Sequence, residues 1–236
     1  MGPFSQKVAE KFGYEKVIFH NGGTESVETA IKIARRWAVD VKGVPNDDVA
    51  MLYPLENYWG RSIAGAASTD EPLRCDDFGP MKGFKFDLVE YNDIEALEKK
   101  FQENPNIAGY LIEAIQADAG IIIPADDYLA KVKALCEKYK VLFIIDEIQT
   151  GNGRTGKLLC SHWSNVKPHM TILGKSLSGG FYPVSAVLAD AGLIELIGYP
   201  IFVILLGSEN TALPMGLTLL ELQWQAQLSM SLTRRV

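Results

Sequence analysis

One lysine of this chain lies in a sequence context that could make its amine a nucleophile. Lys175 follows the apolar stretch Met170–Leu173 and precedes the glycine pair Gly179 and Gly180. A lysine amine that is removed from water loses its proton more easily and can attack a carbonyl to form an imine. A buried stem with the charged head in water is the commoner arrangement of a single lysine. The residue alone therefore leaves both roles open.

An acid follows a continuous apolar run of five residues. Asp146 comes directly after residues 141–145, which read Val-Leu-Phe-Ile-Ile. Such a run predicts a strand buried on both faces, and open α/β sheets bind ligands beyond the carboxyl ends of such strands. Burial of an unpaired carboxylate is costly, so Asp146 needs a cation, a metal ion or several hydrogen-bond donors. No His or Cys stands nearby to complete a metal site, and we expect His162 and His169 to be surface or loop residues.

A glycine turn predicts an anion site. The segment Gly22–Ser26 joins an apolar strand pattern to a helical one, and free N–H groups at a helix N-terminus can hold a phosphate. A glycine turn followed by polar capping residues is, by itself, more often an ordinary helix start. A phosphate cradle, an acid and an imine-forming lysine are, however, the three groups that pyridoxal phosphate requires. Their combination predicts this cofactor.

Strand-length apolar runs alternate with helical periodicity along the chain, which predicts an α/β fold with a doubly wound, mostly parallel sheet flanked by helices. The strand Ile107–Ile112, the helix Asp126–Tyr139 and the strand Val141–Ile145 form the clearest βαβ unit. Alternation alone does not exclude a TIM barrel. The other predicted strands are Val17–Phe19, Val49–Tyr53, Asp87–Tyr91 and Met170–Leu173, and the other helices are Ser26–Val39, Asp93–Gln102 and Pro214–Leu228.

Several motifs between Lys16 and Asp190 together resemble those of the class III, fold-type I pyridoxal-phosphate aminotransferases, and within them the ornithine aminotransferases. These motifs are Asn21–Glu25 with Glu28–Lys32, Asn57–Arg61, Ile112–Gly120, Asp146–Gly151 with Gly153–Gly156, Leu173–Lys175 and Tyr182–Ser185. The resemblance implies transfer of the δ-amino group of ornithine to a 2-oxo acid such as 2-oxoglutarate. It also implies a homodimer, because this family builds its sites at a subunit interface.

The resemblance assigns roles by position. It implies that Lys175 is the Schiff-base lysine, that Asp146 pairs with the pyridinium nitrogen and that Gln149 contacts the ring hydroxyl. The backbone of Gly23 and Thr24 matches the phosphate cradle.

Four further residues receive roles in the same way. Tyr58 matches the aromatic residue that stacks on the cofactor, and Glu113 is expected to contact the cofactor. Arg61 matches the arginine that holds a substrate carboxylate, a task suited to its two-pronged donor. Asp118 stands where the family has a longer acid that gates between substrates.

Some positions depart from the family pattern. Gly22 replaces a hydroxyl residue before the cradle, and Glu209 stands where a Thr reaches the phosphate of the partner subunit. We expect residues 1–236 to form one cofactor-binding large domain, truncated at both ends and lacking the small C-terminal domain, with residues 191–236 divergent. The alternative is a non-catalytic paralogue that keeps the fold and binds cofactor or dimerises.

The composition of the chain limits which binding partners and which cellular compartment we expect. The 236 residues include 23 Lys plus Arg and 29 Asp plus Glu, for a net charge of -6, which disfavours nucleic acid as a partner. The most apolar stretch, Leu196–Leu206, is too short to span a membrane and predicts a buried strand pair or hairpin. Three cysteines without CxxC spacing favour a reducing compartment. Since no targeting signal is visible, we expect the cytoplasm or the mitochondrial matrix.

Overall fold

Seven strands form one open mixed sheet in a computed structural model, which describes residues 2–76 and 85–197. The strands are β1 (Lys16–His20), β2 (Ala50–Pro54), β3 (Phe86–Val89), β4 (Ile107–Glu113), β5 (Leu142–Asp146), β6 (Met170–Leu173) and β7 (Ser185–Ala189). The helices are α1 (Gly2–Phe12), α2 (Gly23–Trp37), α3 (Ile63–Ala67), α4 (Pro72–Cys75), α5 (Ile94–Glu103), α6 (Tyr128–Lys138) and α7 (Ala191–Ile194). A π-helical turn (Ala38–Lys42) extends α2, and 3-10 turns lie at Asn46–Asp48, Cys160–Ser164, Lys175–Ser178 and Glu195–Ile197.

The strand order β1-β7-β6-β5-β4-β2-β3 leaves β1 and β3 at the edges, so the sheet is not a barrel. Strands β3, β2, β4, β5 and β6 run parallel, whereas β7 is antiparallel to both of its neighbours. The predicted α/β fold with a mostly parallel sheet is therefore confirmed, and the TIM-barrel alternative is excluded.

Both faces of the sheet are covered by helices because the central strands are apolar on both sides. Ile144 of β5 belongs to the core under α2, whereas Phe143 and Ile145 point to the opposite core, under α5 and α6. The predicted βαβ unit corresponds to β4, α6 and β5. A third cluster joins α1 to β1 and β7 and includes Phe4, Val8 and Leu188.

Strand β7, helix α1 and the short helices α3, α4 and α7 were not predicted. Strand β7 follows Pro183 as a run of only five residues, and α1 precedes the first recognised strand. The predicted helix Pro214–Leu228, the run Leu196–Leu206 beyond residue 197 and Glu209 lie outside the described residues. No helix in residues 2–76 and 85–197 has the length and apolar character needed to cross a membrane.

The direction of the strands gathers their carboxyl ends at one edge. Because β7 reverses the chain between β6 and β1, β1 runs in the same direction as the parallel strands. The chain therefore leaves β1, β2, β4, β5 and β6 at the same edge of the sheet, and the predicted site residues lie at the ends of these strands or in the segments that follow them.

Candidate active site

A cavity of about 210 Å³ lies at this edge of the sheet. Eight of the nine predicted site residues line it; the exception is Arg61, which is exposed and follows the lining residue Gly60. The lining residues are Gly23, Thr24, Tyr58, Trp59, Gly60, Glu113, Ile115, Asp118, Asp146, Ile148, Gln149, Thr150 and Lys175.

Asp146 is the acid of the cavity and the last residue of β5. It is 7% exposed, and its Oδ1 accepts a hydrogen bond from the N–H of Ile148 at 2.8 Å. Burial raises the pKa of Asp146 to about 7, although the Ile148 N–H and the positive charge of Lys175 act in the opposite direction. The acid is thus buried with few donors, and a cation in the cavity would stabilise its charged form.

Glu113 ends the neighbouring strand β4 and is the register partner of Asp146. Its carboxylate accepts hydrogen bonds from the N–H groups of Tyr58 at 3.2 Å and Ala117 at 3.3 Å. Burial, and then the charge of Asp146, raises the pKa of Glu113 to about 7. The charge of the buried Asp146 therefore disfavours ionisation of the partly buried Glu113 on the adjacent strand.

Lys175 begins the 3-10 turn after β6. Its backbone has φ +45°, a conformation that residues other than glycine rarely adopt. Its Nζ donates a hydrogen bond to Oε1 of Gln149, so both predicted side chains meet at the cavity. Its side chain is exposed to solvent.

The N-terminus of α2 forms another wall of the cavity. Glu25 accepts a hydrogen bond from the N–H of Gly22 at 2.7 Å, which directs the chain into the helix. The first N–H groups of a helix have no intrahelical acceptor. A Cβ on Gly23 would stand 2.8 Å from Cδ1 of Ile148, and one on Gly60 would stand 2.2 Å from Oγ1 of Thr24. Both glycines thus permit close approach of backbone around the cradle.

Arg74 was missed by the sequence reasoning. Its guanidinium lies over the ring of Tyr58, 4.7 Å from the ring centroid, and 3.9 Å from Oδ1 of Asp118. Both partners line the cavity. A residue of a short helix that meets them only in the folded chain leaves no local pattern in the sequence.

Glu147 and His169 make contacts that the sequence did not reveal. Glu147 is fully buried, and it accepts hydrogen bonds from Oγ1 of Thr150 at 2.6 Å and from the N–H groups of Cys160 at 2.9 Å and Ser161 at 2.8 Å. His169 lies in the loop before β6, as expected of a surface or loop residue, and it is partly buried there. Its Nδ1 accepts a hydrogen bond from the N–H of Phe143, and burial lowers its pKa to about 4.

Clusters of metal-binding side chains are absent from the part of the chain that the structure describes. Residues 2–76 and 85–197 contain no group of three or more His, Cys, Asp or Glu side chains that could hold a metal ion. All three cysteines are free thiols. The cavity offers an amine, a buried acid, a partly buried acid and a helix N-terminus.

Comparison with known proteins agrees with this geometry. The probable mitochondrial ornithine aminotransferase of Caenorhabditis elegans is 47% identical over 191 residues, which is 80% of this chain and 44% of that protein. The ornithine aminotransferase of Toxoplasma gondii, whose solved structure has partial occupancy of pyridoxal phosphate at its active site, superimposes with a TM-score of 0.81 at 40% identity, over 85% of this chain and 47% of that one.

An acetylornithine aminotransferase of Elizabethkingia anophelis is also similar, with a TM-score of 0.69 and 37% identity over 89% of this chain and 46% of its own. The chain spans about half the length of these relatives, since it covers 44% to 47% of them. The sequence model of the aminotransferase class-III family matches residues 1–200. Since that match extends over most of the chain and the fold is that of solved members, this chain belongs to the class-III aminotransferase family.

Proposed function

We propose that this chain is the cofactor-binding large domain of a pyridoxal-phosphate-dependent aminotransferase that moves the δ-amino group of ornithine to a 2-oxo acid such as 2-oxoglutarate. In this proposal residues 1–236 form a single domain. The similarity to ornithine aminotransferases supports ornithine as the amino donor. The similarity to an acetylornithine aminotransferase makes acetylornithine the alternative donor to test.

The observation that carries the proposal is the setting of Asp146. This buried acid has its pKa raised to about 7 and faces a cavity that also contains an amine and a helix N-terminus. A protonated pyridine nitrogen would supply the cation that the acid lacks, and a phosphate suits the free N–H groups of Gly23 and Thr24. An aldehyde suits the amine of Lys175. The residues present therefore fit pyridoxal phosphate.

When bound, pyridoxal phosphate supplies an aldehyde that captures amines and a ring that accepts electrons from the adjacent carbon. Asp146 would hold the protonated ring nitrogen, Gln149 would bind the ring hydroxyl and Tyr58 would stack on the ring. Glu113 would contact the cofactor, and burial and the charge of Asp146 raise its pKa to about 7.

Lys175 has two tasks in the proposed reaction. Its Nζ would hold the aldehyde of the cofactor, and as a free amine it would act as the base for a proton on the amine-bearing carbon of the substrate. Lys175 stands beside Gln149, which holds its amine at the cavity.

The proposal also covers substrate binding, the oligomeric state and the cellular compartment. Arg61 adjoins the cavity through Gly60 and binds a substrate carboxylate, and Asp118 gates between the amino donor and the oxo acid. Two copies of the chain form a homodimer. The enzyme works in the cytoplasm or the mitochondrial matrix, and the name of the relative from Caenorhabditis elegans supports the latter.

The proposal is tested first by covalent labelling. The purified chain is incubated with pyridoxal phosphate, reduced with borohydride and digested, and mass spectrometry is expected to find the label on Lys175. Lys175→Ala is expected to remain unlabelled there. A wild-type chain without label on this residue would contradict the proposal.

The second test is amino transfer. Ornithine and acetylornithine are offered with 2-oxoglutarate, and glutamate formation is measured by chromatography. We expect ornithine to be the better donor. Labelling of Lys175 without any transfer would favour the non-catalytic paralogue.

A further inference from the structure

A chain of hydrogen bonds runs behind the N-terminus of α2, outside the cavity. His20 ends β1, Ser185 begins β7, and the two are register partners in the sheet. Ser26 and Thr29 of α2 face them. The hydroxyl of Ser185 lies 2.6 Å from the carbonyl oxygen of Gly22 and 2.8 Å from the hydroxyl of Ser26. The ring of His20 contacts Ser26 at 3.0 Å through Nδ1 and Thr29 at 2.9 Å through Nε2.

The direction of each hydrogen bond follows from counting protons. A carbonyl only accepts, so the Ser185 hydroxyl donates to Gly22 and its single proton is used. Ser185 must then accept from Ser26, and Ser26 in turn must accept from His20. The imidazole therefore carries its proton on Nδ1, and in the neutral ring Nε2 accepts from Thr29. Burial favours that neutral ring because it lowers the pKa of His20.

All of these donors point toward one peptide unit. The carbonyl of Gly22 also accepts the N–H of Ser26 at 3.3 Å, so two groups fix its direction. The same peptide unit carries the N–H of Gly23, which lies at the cavity wall. Hydrogen bonds to a carbonyl polarise the N–H of its own peptide group, and linked hydrogen bonds strengthen one another in a low dielectric. Ser26 and Ser185 are fully buried, as this effect requires.

We infer that His20, Ser26 and Ser185 are positioning residues that aim and polarise the Gly23 N–H for an anionic ligand, namely the phosphate ester of the cofactor. This inference rests on the proposed function. It gives a physical reason why a cradle with Gly22 in place of a hydroxyl residue can still hold phosphate. The polar side chains act from behind the loop through its carbonyl, and none of these three side chains lines the cavity.

The test compares two ligands that differ only in the phosphate. Dissociation constants of pyridoxal phosphate and of pyridoxal are measured by absorbance for the wild-type chain, Ser185→Ala and Ser26→Ala. Loss of one link is expected to weaken pyridoxal phosphate by about 5- to 10-fold and pyridoxal by less than about 2-fold. Ser185→Thr keeps the hydroxyl and is expected to restore the affinity for the phosphate ester.

Ser161→Ala is the matched control, because this buried serine has no hydrogen-bond partner for its hydroxyl and lies outside the cavity. It is expected to leave both affinities unchanged. Thermal unfolding of every variant shows whether it folds, and Ser26→Ala decides the question if Ser185→Ala does not fold.

The outcomes separate this inference from the proposed function. A wild-type chain that binds neither ligand would overturn both. A wild-type chain that binds both, with the two alanine variants weakened equally for both ligands or for neither, would overturn the inference alone.

The imidazole of His20 gives a readout that needs no cofactor. Nitrogen NMR at neutral pH is expected to find its proton on Nδ1. A ring protonated only on Nε2 would also overturn the inference, since Ser26 would then have no donor from His20.

Discussion

At the scale of single residues, the most informative pair is Asp146 and Glu113. They end adjacent strands in register, and burial raises the pKa of each to about 7. Without a ligand, the folded chain holds two acids that are easier to protonate than in the unfolded chain. The stability of the folded state must then depend on pH through them.

We predict that Asp146→Asn stabilises the ligand-free chain increasingly as the pH rises from about 4 to about 7. The pKa of Asp146 is 3.8 when unfolded and about 7 when folded, so in this window the folded wild-type chain binds more protons. Its free energy of unfolding therefore falls with rising pH. Asn cannot ionise, and the variant should gain about 2 to 4 kcal/mol over wild type across the window. Urea unfolding at several pH values measures this difference.

The comparison with wild type is needed because other groups titrate in the same window. His169, whose pKa is lowered to about 4, contributes stability with the opposite dependence on pH, and it cancels in the difference. The exposed Asp126→Asn is the control, and it should change stability much less because its side chain lies in water. A difference between Asp146→Asn and wild type that does not grow with pH would show that Asp146 is not buried in its charged form.

The sequence could predict where Asp146 lies, because an apolar run of five residues followed by an acid has few alternative placements in an α/β sheet. The coupling to Glu113 could not be predicted, since it depends on the register between two strands. Arg74 is similar: its contacts with Tyr58 and Asp118 join segments that are distant in the chain. Side-chain pairs across elements are visible only after folding.

At the scale of elements, the connection from β5 to β6 is held by Glu147. Its buried carboxylate binds one hydroxyl and the N–H groups of Cys160 and Ser161. We predict that Glu147→Ala destabilises the chain by about 3 to 5 kcal/mol, because the removal leaves buried donors without an acceptor. Glu147→Gln should cost less, since it keeps one acceptor oxygen.

Denaturant unfolding measures both changes. Glu103→Gln serves as the control, because this exposed acid only pairs with Lys99 on the surface of α5 and should change the free energy of unfolding by less than about 1 kcal/mol. Equal effects of Glu147→Ala and Glu103→Gln would mean that the buried carboxylate does not hold the connection.

The loop after β2 packs against the N-terminal turn of α2 at Gly60. With φ +150° and no side chain, Gly60 lets Thr24 approach so closely that an added Cβ would lie 2.2 Å from its Oγ1. We predict that Gly60→Ala displaces Thr24, weakens pyridoxal phosphate by about 10-fold or more and costs about 1 to 3 kcal/mol of stability. Cofactor titration and thermal unfolding measure the two effects.

Gly153→Ala separates backbone strain from this contact. Gly153 has φ +88°, but no atom lies within 4 Å of an added Cβ. This control should lose some stability and keep its cofactor affinity. If both alanine variants lost affinity to the same extent, the contact between Gly60 and Thr24 would not matter.

Elements with strong local patterns were predicted well, and elements defined by their partners were not. The periodic apolar face of α2 and the continuous apolar runs of β4 and β5 identify them from sequence alone. Strand β7 is short, follows a proline and gains its place only by pairing with β1 and β6, which are far away along the chain. The hydrogen-bond chain from His20 to Gly22 depends on that same pairing, so sequence reasoning missed both together.

At the scale of the whole molecule, several large apolar side chains are exposed on segments that adjoin cavity residues in sequence. Leu73 precedes Arg74, Phe181 follows Lys175 by six residues, and Ile121 and Ile123 follow Asp118. Their exposures are 90%, 83%, 70% and 69%, respectively. Exposed large apolar side chains are a feature of protein interfaces. They support the proposed homodimer, in which a partner would cover them.

We predict that the chain sediments as a dimer at micromolar concentration and that the double variant Leu73→Glu with Phe181→Glu sediments as a monomer, because two charges would have to be buried in the interface. Val41→Glu is the control: Val41 is 62% exposed but follows the C-terminal end of α2, away from the cavity, and its variant should remain a dimer. Sedimentation velocity measures all three.

If desolvation of Lys175 depends on the partner, the monomeric variant should also retain less pyridoxal, a ligand without the phosphate. A wild-type chain that stays monomeric while labelling Lys175 fully would show instead that one copy of the chain suffices for the site.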